Sequence, residues 1–136
     1  MNIFDRFRKK SDHKEATDAR DPDLMPAPVD LAGYMRRGWA YHARGMESQA
    51  EADFQKALEI APDSVDANYV LGLVFKAQGK KEDAIRCFKK SIALLESGVV
   101  TDTTRADMLR RLALGHINEI SIGDWNLEKE IWHYKR

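Results

Sequence analysis

Residues 34–62 read YMRRGWAYHARGMESQAEADFQKALEIAP, and residues 68–96 read NYVLGLVFKAQGKKEDAIRCFKKSIALLE. The two stretches share one pattern: Gly38 and Gly72 are 34 residues apart, and the same shift aligns their neighbours. The aligned pairs are Tyr41 with Phe75, Gly45 with Gly79, Ala50 with Ala84, Phe54 with Phe88, and Ala57 with Ser91. Self-similarity at a period of about 20 to 50 residues indicates an array of structural repeats.

The chain from residue 30 onward has the apolar spacing of helices, and no segment alternates like a strand. Asp30 is placed to cap the first helix, Asp63 or Ser64 the third, and Asp102 or Thr103 the fifth. Glycines and a proline are placed to end the helices. The predicted helices span about 31–44, 47–60, 65–78, 81–96, 102–120 and 125–134.

Two glycines fall inside predicted helices, where each costs about 1 kcal/mol relative to alanine. Gly38 and Gly72 therefore need a compensating contact, and the close approach of the following helix supplies one. Four aromatic residues are predicted to fill the space within the helix pairs: Tyr41, Phe54, Phe75 and Phe88.

This pattern resembles the tetratricopeptide repeat family over residues 31–97. The resemblance implies an all-α fold, a right-handed superhelix of antiparallel helical hairpins with about six helices. The repeats are expected at about 31–64 and 65–98, with a degenerate or capping unit at 102–136. In that unit Leu114 and Gly115 are read as a late copy of Leu71 and Gly72. The alternative is that the last two helices only cap the array.

Residues 1–30 differ from the rest, because the stretch is charged, lacks apolar periodicity after its first residues and contains three prolines. It is predicted to be a flexible tail. Ile3, Phe4 and Phe7 lie within one helical turn beside basic residues. Three interpretations remain open for them: a weak membrane contact, a peptide that docks in a groove, or a disordered start.

The balance of charge argues mildly against binding to nucleic acid or to anionic membranes, since 22 Lys and Arg residues face 22 Asp and Glu residues. The single cysteine, Cys87, excludes an intrachain disulfide and favours a reducing compartment. It is interpreted as a small helix residue rather than a reactive thiol. No apolar run has the length of a membrane helix. A cytoplasmic location is expected.

The histidines show no spacing typical of a catalytic or metal site. Glu119 follows His116 by three residues, which allows an orienting pair but more commonly marks a polar surface. No residues assemble a nucleophile, a base and an oxyanion donor. We therefore expect a non-enzyme without cofactor or metal.

The family resemblance implies that the first helix of each hairpin lines a concave groove. The residues expected there are Met35, Arg36, Trp39, His42, Asp66, Tyr69, Val70, Leu73 and Lys76, followed by Leu112, His116 and Glu119 if the late frame of the third unit holds. Met35, Trp39 and Val70 stand where a chaperone-binding subgroup of the family uses Lys and Asn, so that specificity is not carried over. The alternative is that Trp39 and Tyr69 are packing residues.

The function predicted from these features is that of an adaptor or scaffold, which holds a protein, peptide or partner helix in the groove. An apolar or amphipathic helical peptide fits the groove residues best. The alternative is a homo-oligomerising assembly protein that associates through its terminal hairpins and N-terminal tail. Trp125 and Trp132, seven residues apart, are expected to seal the end of the array or, if exposed, to form an edge for self-association or for a partner.

Overall fold

The computed structural model describes residues 21–123, and within that range the chain is helical without strands. A short 3-10 turn at Pro22–Leu24 precedes five α-helices. These are α1 (Leu31–Ala43), α2 (Glu47–Ile60), α3 (Val65–Ala77), α4 (Lys81–Glu96) and α5 (Thr103–Ile122). Each helix packs on the next in chain order. The all-α helical repeat is confirmed, whereas the predicted sixth helix at 125–134 lies outside the described residues.

The helix starts follow from capping side chains. The carboxylate of Asp30 accepts a hydrogen bond from the backbone N–H of Gly33, and Asp102 does the same for Arg105. At α3 the Ser64 hydroxyl accepts from the N–H of Ala67, which settles the choice between Asp63 and Ser64. These bonds satisfy N–H groups that the first turn of a helix leaves free. Gly45 and Gly79 follow α1 and α3 with φ of 73° and 76°, which reverses the chain into the next helix.

In each hairpin a phenylalanine of the second helix packs against a glycine of the first. A Cβ atom added at Gly38 would lie 2.6 Å from Cε1 of Phe54, and one at Gly72 would lie 2.8 Å from Cε1 of Phe88. Both rings are fully buried. The absence of a side chain at each glycine thus lets the aromatic ring of the second helix lie against the backbone of the first. The predicted close approach is confirmed.

One apolar core runs through both hairpins and reaches α5. Its buried members are Tyr41, Ala50, Phe54, Val70, Leu71, Val74, Phe75, Ala84, Phe88 and Ala113. Because residues of both hairpins share this cluster, neither hairpin buries its apolar face by itself, as expected for stacked repeats.

The segment before α1 packs on that helix. Pro22 is buried, the hydroxyl of Tyr41 donates to Asp23 at 3.0 Å, and Arg44 lies 3.8 Å from Asp21. These contacts lie within residues 1–30, which the sequence predicts to be a flexible tail. The two carboxylates have partners in Tyr41 of α1 and in Arg44 just after it, which the local sequence does not reveal. Residues 1–20 lie outside the described range.

An ion pair lies inside the first hairpin. Arg37 of α1 donates to both carboxylate oxygens of Asp53 in α2, at 2.8 and 2.7 Å. The Asp53 side chain is buried and the Arg37 side chain is partly exposed. The bond to Asp53 raises the pKa of the Arg37 guanidinium, against the opposing effect of burial. The corresponding positions of the second hairpin, Leu71 and Cys87, are apolar.

Candidate partner-binding face

The residues predicted to line a groove lie on the first helices of the hairpins and on α5. We call their side of α1, α3 and α5 the first-helix face. It comprises Met35, Arg36, Trp39, His42, Asp66, Tyr69, Val70, Leu73, Lys76, Leu112, His116 and Glu119. Spacings of three and four residues place side chains on the same side of a helix.

The α1 part of this face is open. Trp39 is 43% exposed, and its ring meets the edge of Phe54 with centroids 6.2 Å apart. His42 lies beside it, with ring centroids 5.9 Å apart, and its Nδ1 is 2.8 Å from a carboxylate oxygen of Glu47. Met35 is half-buried against the core. A large indole surface therefore remains available to a partner.

Arg36 differs from the other charged residues of the face. Its side chain is exposed, and within residues 21–123 it makes no hydrogen bond or ion pair. By contrast, Asp66 binds Arg105 through both carboxylate oxygens at 2.8 and 2.9 Å, and Lys76 binds Glu119 at 2.8 Å. The charged residues of the face on α3 and α5 are thus already paired, whereas Arg36 has no partner within the described residues.

The α3 and α5 parts of the face are joined through His116. Its Nε2 lies 3.1 Å from the Tyr69 hydroxyl, and its Nδ1 lies 3.0 Å from Nζ of Lys76. A lysine ammonium can only donate, so Nδ1 accepts and the proton of the neutral ring sits on Nε2. Nε2–H then donates to the Tyr69 oxygen. The ring also stacks on Phe88, with centroids 4.9 Å apart and planes 9° apart.

The surroundings keep His116 neutral. Burial and the positive charge of Lys76 lower the pKa of His116 to about 4, and Glu119 opposes them only partly. The hydrogen bond from Lys76 lowers the pKa of Glu119, and burial raises the pKa of Tyr69. The cluster therefore acts at neutral pH as a fixed link between α3 and α5.

Two residues assigned to the groove by sequence turn inward. Val70 is 2% exposed and belongs to the core, so it cannot touch a partner in this conformation; that assignment was wrong. The reason is that the core extends across the stacked repeats and covers this position of α3. Leu73 is half-buried against the same core and presents only part of its side chain.

The structure also shows contacts that the sequence did not assign. They are the ion pair between Arg37 and Asp53, the ion pair between Arg105 and Asp66, and the hydrogen bond from Tyr41 to Asp23. Each contact joins elements that only folding brings together. One signal existed, because the 34-residue shift aligns Arg37 with Leu71 and so marks an ionic residue at an apolar repeat position.

No metal-ligand cluster is assembled in the part of the chain that the structure describes. Residues 21–123 contain no group of three or more His, Cys, Asp or Glu side chains that could hold a metal ion. Burial raises the pKa of the Cys87 thiol to about 11. Cys87 is therefore protonated at neutral pH, which makes it a poor nucleophile.

Comparisons with known protein families divide this region of the chain in the same way as the two hairpins. Residues 32–64 match a family model of the tetratricopeptide repeat, and residues 65–94 match a second one. The two ranges coincide with the hairpins α1–α2 and α3–α4. Residues 32–94 therefore contain two tetratricopeptide repeats, and such repeats form a protein-interaction fold.

A curated relative shares part of this region. The type IV pilus assembly protein PilF of Pseudomonas aeruginosa is 37% identical over 60 residues, which cover 44% of this chain and 24% of PilF. The shared stretch is thus about a quarter of the length of that relative. Within residues 21–123, no helix has the length and apolar character needed to cross a membrane.

Proposed function

We propose that this protein is an adaptor or scaffold that binds a peptide or partner helix on its first-helix face. The observation that carries the proposal is Trp39, which is 43% exposed at the middle of α1. Tryptophan is enriched among the residues that dominate binding energies at interfaces, where it becomes fully desolvated. Covering this indole would therefore give a partner an anchor on the surface.

The neighbours of Trp39 support a helical or extended peptide as the occupant. Met35 precedes it by one turn, and Leu73 and Leu112 offer further apolar surface on α3 and α5. Amphipathic segments bind such surfaces by placing an apolar side against them. The link through His116 keeps α3 and α5 together, so the face is formed before a partner arrives, which lowers the entropic cost of binding.

Self-association is the second candidate. Met108 and Ile122 are 57% and 70% exposed on α5, the last helix within the described range. Such side chains at the end of a repeat array could contact a second copy. The name of PilF refers to pilus assembly, and for this chain that makes a multi-protein assembly one setting in which to look for the partner. A cytoplasmic location and a lack of nucleic-acid binding remain predictions.

The test is affinity capture from an extract of the source organism, with Trp39→Ala beside the wild type. Lys90→Ala is the matched control, because Lys90 is exposed on α4 outside the first-helix face. Circular dichroism first establishes that each variant is folded. We expect a protein, identified by mass spectrometry, that is retained by the wild type and Lys90→Ala and lost by Trp39→Ala. Equal retention by all three would refute the proposal, and a mass that rises with concentration without any partner would favour self-association.

A further inference from the structure

A pocket at the start of the first repeat adjoins the first-helix face. It has a volume of about 390 Å³, and its walls are residues 25–30 together with Gly33, Arg36 and Arg37 of α1. Residues 25–30 precede the stretch that matches the tetratricopeptide repeat, which begins at residue 32. Arg36 belongs both to the pocket and to the first-helix face, so the two are continuous.

Among the basic residues around the pocket, Arg36 is the one that lacks an ionic partner within the described residues. Arg37 is held by the buried carboxylate of Asp53 through two hydrogen bonds. Asp30 is the acidic residue of the wall, and its carboxylate accepts the N–H of Gly33 at 2.8 Å, where the start of a helix compensates negative charge. Arg36 has no such compensation within the described residues. The charge that a ligand would meet here without a partner is therefore positive.

We propose that the pocket receives a carboxylate of the bound peptide at Arg36, while a large apolar side chain of the same peptide covers Trp39. Arg36 and Trp39 are three residues apart on α1, so their side chains are neighbours on one side of the helix. A guanidinium can donate two parallel hydrogen bonds to a carboxylate, and this pairing selects Asp, Glu or a chain terminus over neutral residues. The partner is thus an acidic peptide with an aromatic or aliphatic anchor.

This inference rests on the proposed function, since it names the chemistry of the occupant of the first-helix face. The probe is a library of random 12-residue peptides displayed on phage and selected on the immobilised full-length protein. Selected peptides are then synthesised in two forms, one as selected and one with each Asp or Glu replaced by Asn or Gln. Their dissociation constants are measured for the wild type, Arg36→Glu, Trp39→Ala and Lys90→Glu.

The expected result is a coupling between peptide acid and Arg36. Replacing the acid by its amide should weaken binding to the wild type and to Lys90→Glu about tenfold, and should not weaken binding to Arg36→Glu. Trp39→Ala should weaken both peptide forms. Arg36 and Lys90 are both exposed, so neither variant is expected to disturb folding.

Other outcomes separate the two proposals. Peptides that need Trp39 but bind equally well in acid and amide forms would overturn the role of Arg36 and leave the proposed function standing. Peptides whose binding is unchanged by Trp39→Ala would overturn the proposed function. A library that yields no peptide for the folded wild type would overturn both.

Discussion

The first and second repeats follow one pattern but differ in chemistry at three aligned positions. Trp39, Arg37 and Asp53 of the first repeat correspond to Leu73, Leu71 and Cys87 of the second. In the second repeat Leu71 is buried in the core and Leu73 and Cys87 are half-buried against it. In the first repeat an ion pair takes the place of two apolar residues, and the tryptophan is exposed.

The difference shows how position in the array sets the chemistry of a repeat. The second repeat has neighbours on both sides, so its side chains can be buried by apolar contact alone. Ahead of the first repeat, the described residues include only the short segment around Pro22–Leu24, which packs on α1. Arg37 is partly exposed to water there and can keep its charge. The buried carboxylate of Asp53 requires a charged partner, and Arg37 supplies it.

The largest effect is expected from breaking the ion pair of the first repeat. Arg37→Leu leaves Asp53 buried without its cation and should lower the free energy of unfolding by about 3 kcal/mol. The double variant Arg37→Leu, Asp53→Cys copies the second repeat and should lie within about 1 kcal/mol of the wild type. Urea unfolding of both variants checks this. A double variant as unstable as the single one would show that the two repeats are not equivalent at this pair.

The second prediction compares the aligned residues Leu73 and Trp39. Leu73→Ala removes a side chain packed on the core and should cost about 2 kcal/mol of stability. Trp39→Ala removes the larger side chain yet should cost only about 1 kcal/mol, because much of the indole is already in water. Thermal or urea unfolding measures both. If Trp39→Ala proves the more damaging, Trp39 is a packing residue and the first-helix face loses its anchor.

The third prediction concerns the link between the second repeat and α5. Because the folded-state pKa of His116 is about 4 and its ordinary value is 6.5, the unfolded chain takes up the proton first as pH falls. This contribution to stability is complete above pH 6.5 and is lost between pH 6.5 and 4. The ring is partly exposed, so screening should reduce the loss to about 1.5 kcal/mol.

Unfolding curves between pH 4 and 7 measure this loss, with His116→Gln as the comparison. The variant cannot take up the proton, so its stability should change less over the same range. A wild type and variant with parallel pH profiles, or a proton NMR titration of His116 with a pKa near 6.5, would contradict the prediction.

The smallest effect is expected at the helix-internal glycines. An added methyl group overlaps a phenylalanine ring at both sites, and the gain in helix propensity offsets part of that cost. Phe88 is held between Tyr69 and His116, whereas Phe54 has the partly exposed Trp39 as a neighbour. Gly72→Ala should therefore cost about 1 kcal/mol net, and Gly38→Ala about half as much. Thermal unfolding that ranks the two in the reverse order would contradict this account.

The sequence by itself determined the helices and the hairpins. Asp30, Ser64 and Asp102 mark the helix starts, and the alignment of Gly38 with Gly72 gave the repeat and its glycine–phenylalanine contacts. These features are local or recur at a fixed spacing, so they can be read directly from the amino-acid sequence. The sequence also grouped the predicted groove residues on one side of each helix, because helical spacing decides which side chains share a side.

Only the tertiary structure decided what those side chains do. Val70 became core, His116 joined Tyr69 and Lys76 across more than forty positions of the sequence, and Arg37 found Asp53 on the neighbouring helix. Helical periodicity fixes directions around one axis but not the distance and angle between two helices. Those are set by the packing of the whole core. The open α1 part of the first-helix face, with Trp39 exposed and Arg36 uncompensated, is a result of that packing.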